Sequence, residues 1–168
     1  SNKKKLDSAF KIINKNKKKV KHYKILGDLT KNQKLDMVVK KILINDTPDI
    51  LIHNIGGTLG IKPALSSYSD WLKVINFNVG VAIKMNNKII PLMKKKKYGH
   101  VVHISSISAE SLRGSAPYAA SKALLNAYVS TLSRELAKSG IVALTWITSP
   151  VIGELIVTEP AVAGAVIF

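Results

Sequence analysis

The pair most able to do chemistry is Tyr118 and Lys122, in the run Tyr118-Ala-Ala-Ser-Lys122. Residues four apart on a helix share one face. An ammonium beside a phenol favours the phenolate and brings a group that normally titrates near pH 10 toward working pH. Such a tyrosine can exchange a proton with a carbonyl or alcohol oxygen. Ser106, at the end of a strand-like segment, is placed to hydrogen-bond that same oxygen. Ser105 is the other candidate. Ser106 is preferred, because alternation from Val101 and His103 is expected to turn Ser105 to the opposite face. The spacing alone carries little weight in a chain with 26 Lys and Arg, although none of Tyr23, Tyr68, Tyr98 and Tyr128 has a lysine four places on. A surface tyrosine stacked on a lysine stem is the bland alternative.

The elements that must hold these residues alternate between the two periodicities. Residues 3–17 carry a weak helical stripe of Leu6, Phe10 and Ile13. Val20–Leu26 is a short strand ending at Gly27-Asp28. Thr30 is expected to cap a helix to about Ile44, with Leu35, Val38, Val39 and Ile42 on one face. Asp49–His53 is a compact apolar run of the kind buried on both faces. A long helix is expected over Ser69–Lys97, kinked at Pro91. His100–Ser105 is the next strand, Ser115–Lys138 a helix ended at Ser139-Gly140, and Ile141–Ile147 another buried strand. After Pro150 the chain is apolar without clear pattern. Strands alternating with helices imply βαβ units, and hence a parallel sheet with helices on both faces.

Composition narrows the class. The 168 residues, 46% of them hydrophobic, make one domain with a real core and exclude a disordered tail. No apolar run is long enough for a membrane helix. Without cysteine there are no disulfides or thiolate metal sites, which fits a reducing, cytoplasmic setting. His53, His100 and His103 do not have metal-ligand spacing. No Gly-x-Ser-x-Gly elbow points to a serine hydrolase. The formal charge is +16, yet only Arg113 and Arg134 among the bases are arginine, the residue that best grips phosphate and base edges. The lysines are read as solvated, not as a device for specific nucleic-acid recognition. A basic polyanion-binding protein is the remaining alternative of that kind.

Several segments together resemble the short-chain dehydrogenase/reductase family, from about Lys3 to about Ile152. Asp28-Leu29 at a strand end is similar to the family's acidic pair against adenine. Asp49-Ile-Leu-Ile-His-Asn-Ile-Gly56 is similar to its Asn-Asn-Ala-Gly segment, with His53 and Ile55 as departures. Trp71 followed seven residues later by Asn78 resembles the helix with the family's catalytic asparagine. Gly99-His-Val-Val-His-Ile-Ser-Ser106 resembles the strand that delivers the serine, and Pro117-Tyr118-Ala-Ala-Ser-Lys122 the helix with the tyrosine and lysine. The resemblance implies an α/β, Rossmann-like doubly wound sheet and reversible hydride transfer between NAD(P) and a small carbonyl or alcohol. Tyr118 would be the acid/base. Lys122 would hold the nicotinamide ribose, Ser106 would orient the substrate oxygen, and Asn78 would anchor a water chain. Asn54 and Gly56 would border the cofactor ribose, Asp28 and Leu29 the adenine, and backbone near Val151 the nicotinamide amide. Asp28 as a helix cap, Asn54 as a self-bonded loop residue and Asn78 as a helix-kink residue stay open beside these roles.

The sequence departs from the family at both ends. There is no glycine-rich turn after a first strand to seat a pyrophosphate. Thr148-Ser149-Pro150 stands where the family has Pro-Gly. The chain is therefore expected to be a truncated single domain over residues 1–168, inactive alone, with Val20–Leu26 either detached or paired against Asp49–His53. A decayed, non-catalytic copy is the alternative within the family. NADP is favoured over NAD because Ser1-Asn2-Lys3-Lys4 is polar and basic. A homodimer or homotetramer is expected of the complete protein.

Overall fold

The structure, a computed structural model, describes residues 3–15, 23–44, 46–111, 114–148 and 165–167. Helix α1 (Lys3–Lys15) precedes a short strand β1 (Lys24–Leu26) and helix α2 (Asn32–Ile42). Strand β2 (Ile50–His53) leads through a loop to α3 (Tyr68–Ile75), which runs through a π-helical turn, Asn76–Gly80, into α4 (Val81–Lys96). Strand β3 (Gly99–Ser106), the short α5 (Ser108–Ser111), α6 (Ala116–Leu136), β4 (Ile141–Thr148) and β5 (Ala165–Ile167) follow.

Three strands form a parallel sheet in the order β2-β3-β4. Ile50 stands opposite His100 and His53 opposite His103, while Gly99 meets Ile141 and Ser106 meets Thr148. The parallel α/β architecture is thus as the alternating pattern predicts. Strand β1 does not join this sheet. It pairs antiparallel with β5, Lys24 opposite Ile167, a partner that the unpatterned C-terminal stretch did not announce. The N-terminal half of the expected strand, residues 20–22, lies outside the described residues, as do residues 16 and 17 of the first helix.

Hydrophobic spacing builds the core on one face of the sheet. Leu35, Val38, Val39 and Ile42, three or four apart on α2, are buried. They join Met85, Ile89 and Met93 of α4 and Leu125 and Val129 of α6 over Leu51, Val101 and Ala143. Each such side chain contributes roughly 1.5–3 kcal/mol on burial. The opposite face differs from expectation. Ile50 and Ile52 of β2 are 59% and 61% exposed, and Val142, Leu144 and Trp146 of β4 are exposed too. Neither strand is buried on both faces, and the helices against the sheet lie on one side of it among the described residues. An apolar run announces a strand, but what covers its second face is decided by other segments.

Two helix boundaries also move. Thr30 does not cap α2: Lys31 precedes it without a side-chain bond. The helix over 68–96 is interrupted by the π turn at Asn76–Gly80, while Pro91 sits inside α4. Helix α4 ends with three lysines in its last turn, where cations suit the helix dipole, and Lys97 closes it in the left-handed region at φ 57°. Lys94–Lys97 are all exposed, as the solvated reading of the charge requires.

Gly140, between α6 and β4, packs against that same left-handed residue. Its φ is +72°, and a methyl there would overlap the Lys97 carbonyl oxygen and lie 3.0 Å from its carbon. Both are backbone atoms with little room to give, and the φ itself disfavours a side chain. Gly140→Ala should cost about 2 kcal/mol or more. A melting temperature unchanged within about one degree would contradict this packing.

Candidate active site

The C-terminal ends of β2 and β3 and the N-terminal half of α6 converge on one place. Ser115 caps α6: its hydroxyl accepts from Tyr118 N at 3.3 Å and donates to the Ile61 carbonyl at 2.7 Å. Ala116 N donates to the Lys62 carbonyl at 3.1 Å. A single serine thus starts the helix and ties the loop after β2 to it, directly beside Tyr118. The sequence marks Ser115 as a helix start but gives no signal of the loop it holds.

One turn into α6, Lys122 lies beneath Tyr118, with Nζ 5.7 Å from the phenol ring centroid. The side chain is buried, and Nζ donates to the Ile104 carbonyl at 2.8 Å. Burial pushes its pKa down from 10.5 to about 8. Charged groups held this deep, with N–H groups left over, are typical of functional sites rather than of surface lysines. The expected sharing of one face by Tyr118 and Lys122 is what the structure has.

Asn78 lies in the π turn and is buried. Its Oδ1 accepts from Gly57 N at 2.9 Å, and its Nδ2 donates to the Gly57 and Val74 carbonyls, each at 2.9 Å. Extra residues in a helix often re-aim a side chain at a functional position, and here the side chain reaches the turn after β2. Gly56 completes the cluster. A methyl on it would overlap Asn78 Oδ1 and come 3.1 Å from Lys122 Nζ. The structure therefore brings Gly56, Gly57, Asn78, Lys122 and Tyr118 together. Gly57 was not singled out from the sequence, though its place beside Gly56 was the available sign.

The serines need a correction. Val101, His103 and Ser105 share the buried face of β3, as a period of two dictates; Ser105 does not turn away from them. Its Oγ is buried without a hydrogen-bond partner, and its carbonyl accepts from Thr148 Oγ1 at 3.1 Å. Ser106, where the alternation breaks at the strand end, is also buried, and its Oγ accepts from Ser108 N at 3.2 Å. Both hydroxyls retain a hydrogen to donate.

The adenine-side candidates stand apart, in the turn after β1. The Asp28 carboxylate is exposed and accepts from Thr30 N at 3.0 Å and Thr30 Oγ1 at 2.7 Å, which lowers its pKa. Leu29 is packed into the core, so its side chain is not offered to a ligand. Asn54 is exposed. Val151 lies outside the described residues. No group of three or more metal-ligating side chains occurs among the described residues.

A model of the family described as short chain dehydrogenase matches residues 1–155. The chain belongs to the short-chain dehydrogenase/reductase family. It is similar to an uncharacterized oxidoreductase of Staphylococcus epidermidis, 25% identical over 119 residues, or 70% of this chain and 52% of that protein. A fatty acyl-CoA reductase of Acinetobacter baylyi is 32% identical over 130 residues, 74% of this chain and 43% of that protein. The solved structure of an oxidoreductase of the family from Burkholderia thailandensis superposes with a TM-score of 0.66 at 20% identity, over 74% of this chain and 48% of that one. This short-chain dehydrogenase/reductase chain spans about half the length of the curated relatives it matches.

Proposed function

We propose that the cluster is the reacting centre of an NAD(P)-dependent oxidoreductase acting on a small carbonyl or alcohol. The observation that carries this is the buried Lys122 ammonium, held by the Ile104 carbonyl beneath Tyr118. Tyr118 gives its phenolic proton to the substrate oxygen in reduction and takes it back in oxidation. A serine hydroxyl at the end of β3 orients that oxygen; Ser106 is the choice, with Ser105, whose Oγ is unpartnered, as the second. Asn78 holds the turn after β2 through both polar groups of Gly57. Lys122 spends one N–H on Ile104 and has two left, which fits a ribose hydroxyl; Asn54 and Gly56 border the same place. The nicotinamide, when bound, supplies or accepts the hydride.

Lys3 and Lys4, exposed in the first turn of α1, favour NADP over NAD through a 2′-phosphate. The complete protein would be a cytoplasmic dimer or tetramer. Among the described residues no helix is long and apolar enough to cross a membrane.

The test joins this chain to the strand, glycine turn and helix that open a relative. NADPH titrated by nicotinamide fluorescence should saturate at a lower concentration than NADH, and Lys3→Glu with Lys4→Glu should narrow the gap. Hydride transfer to no member of a panel of aldehydes and ketones, despite saturable binding, would favour the non-catalytic alternative.

A further inference from the structure

Behind the reacting pair lies a polar network that the proposed chemistry does not use. The Asn86 side chain is buried between four elements. His53 Nε2 lies 2.8 Å from Asn86 Oδ1. Asn86 Nδ2 lies 3.1 Å from His103 Nε2 and 3.0 Å from Tyr128 Oη. The two imidazoles stack with centroids 4.6 Å apart, and Tyr128 meets His103 edge-on.

The placement matters more than the bonds. His53 and His103 face each other as the last paired residues of β2 and β3. The next residues on β2's side are Asn54, Ile55 and Gly56. The next residue on β3 is Ile104, whose carbonyl holds Lys122. Asn86 is on α4, two turns beyond Asn78, and Tyr128 is on α6, beyond Lys122. One amide therefore links the four elements that carry the site.

The amide also dictates proton positions. It has one accepting end and one donating end, and an imidazole Nε2 sits at each. One ring must donate from Nε2 and the other must accept there, so the neutral rings hold opposite tautomers. Protonating His103 would break its bond to Asn86, whereas the Asn86 bond tolerates a charged His53, which burial holds neutral. With Nε2 of His103 accepting from Asn86, that ring's hydrogen belongs on Nδ1, a buried nitrogen without a hydrogen-bond partner, and His53 carries its own on Nε2. Burial agrees, holding His53 at about 4 and His103 at about 3.

We propose that Asn86 is a positioning residue, locking His53 and His103 in opposite neutral tautomers and so fixing the two strand ends that present the 54–57 turn and the Ile104 carbonyl to Lys122. The functional half of this rests on the reading of Tyr118 and Lys122 as the reacting pair; the tautomer half does not.

The experiment has two arms. Long-range proton–nitrogen correlation spectra of the imidazoles, taken on the 168-residue chain at pH 7, should show His53 with hydrogen on Nε2 and His103 with hydrogen on Nδ1. Asn86→Asp has nearly the same shape but no N–H, so His103 should move its hydrogen to Nε2 or become protonated. The same tautomer on both rings of the unaltered chain, or unfolded-chain spectra, would overturn the lock. In the chain joined to a relative's cofactor-binding unit, Asn86→Asp should lower kcat about tenfold with KM for the carbonyl within about twofold. Tyr128→Phe, which leaves both imidazole bonds in place, should stay within about threefold. An Asn86→Asp kcat within threefold of the parent would overturn the positioning role. Loss of the oxidoreductase reading itself would show instead as turnover that survives Tyr118→Phe, with the tautomer result unmoved.

Discussion

Replacing Tyr118 by Phe should lower turnover by about 10²-fold or more in the chain joined to a relative's cofactor-binding unit, while NAD(P)H affinity changes little. The substitution removes one oxygen, the atom that would hand a proton to the substrate, and keeps the ring over Lys122. A positioned acid/base is worth typically 10²–10⁴-fold, and a group acting only in the transition state lowers kcat and kcat/KM together. Lys122→Ala should behave differently. The ammonium lies against both the Tyr118 ring and the turn at Gly56, so its loss should harm turnover and cofactor affinity at once. If the Tyr118→Phe protein turned over within about threefold of the parent, the assigned mechanism would be wrong.

How much of this centre could be read from the sequence follows from which interactions are local. Tyr118 and Lys122 were legible because a helix of known period sets their spacing, and the Ser115 start was legible because a capping serine has its own chemistry. Asn78 was legible as a residue but not as the centre of a π turn: the apolar spacing over 68–96 reads as one helix, and the extra residue reveals itself only in backbone bonds. A period of two places Ser105 with Val101 and His103, so an opposite face for Ser105 is an error of parity; what the period could not give is the burial of Ser106, where the alternation breaks. The exposed Ile50 and Ile52 could not be foreseen, because the run from Asp49 to His53 says strand without saying what covers it. The pairing of β1 with β5 is non-local, between segments more than a hundred residues apart in sequence. His53 looked like a mere departure from a family motif. It gains meaning only when the β2–β3 register sets it against His103 and α4 lowers Asn86 between them.

The stability of the chain should rise with pH between about 8 and 10.5, and Lys122 should be the cause. Burial lowers this lysine's pKa from 10.5 to about 8 in the folded state. Below pH 8 the side chain is charged folded and unfolded, and the whole cost of burying an ammonium weighs against folding. Between 8 and 10.5 the folded chain has released the proton and the unfolded chain has not. The unfolded state then binds more protons, so stability increases as pH rises. Above 10.5 both states are neutral and the effect levels off. At 1.36 kcal/mol per pKa unit the gain is about 3 kcal/mol across the window. Lys96 works in the opposite sense, its pKa raised chiefly by Asp49, but it is present in both proteins of a comparison and cancels. Lys122→Met should therefore lose the upward slope relative to the parent when urea unfolding is followed from pH 7 to 10.5. The variant also leaves the Ile104 carbonyl without its N–H, which costs about 1–3 kcal/mol. The absolute difference at pH 7 thus reflects two opposed effects, whereas the slope isolates the titration. Parallel pH profiles for the two proteins would mean that Lys122 is solvated and keeps an ordinary lysine's proton. A lysine buried beneath a tyrosine at such a cost to folding is what the proposed reacting pair requires, and the slope measures that cost.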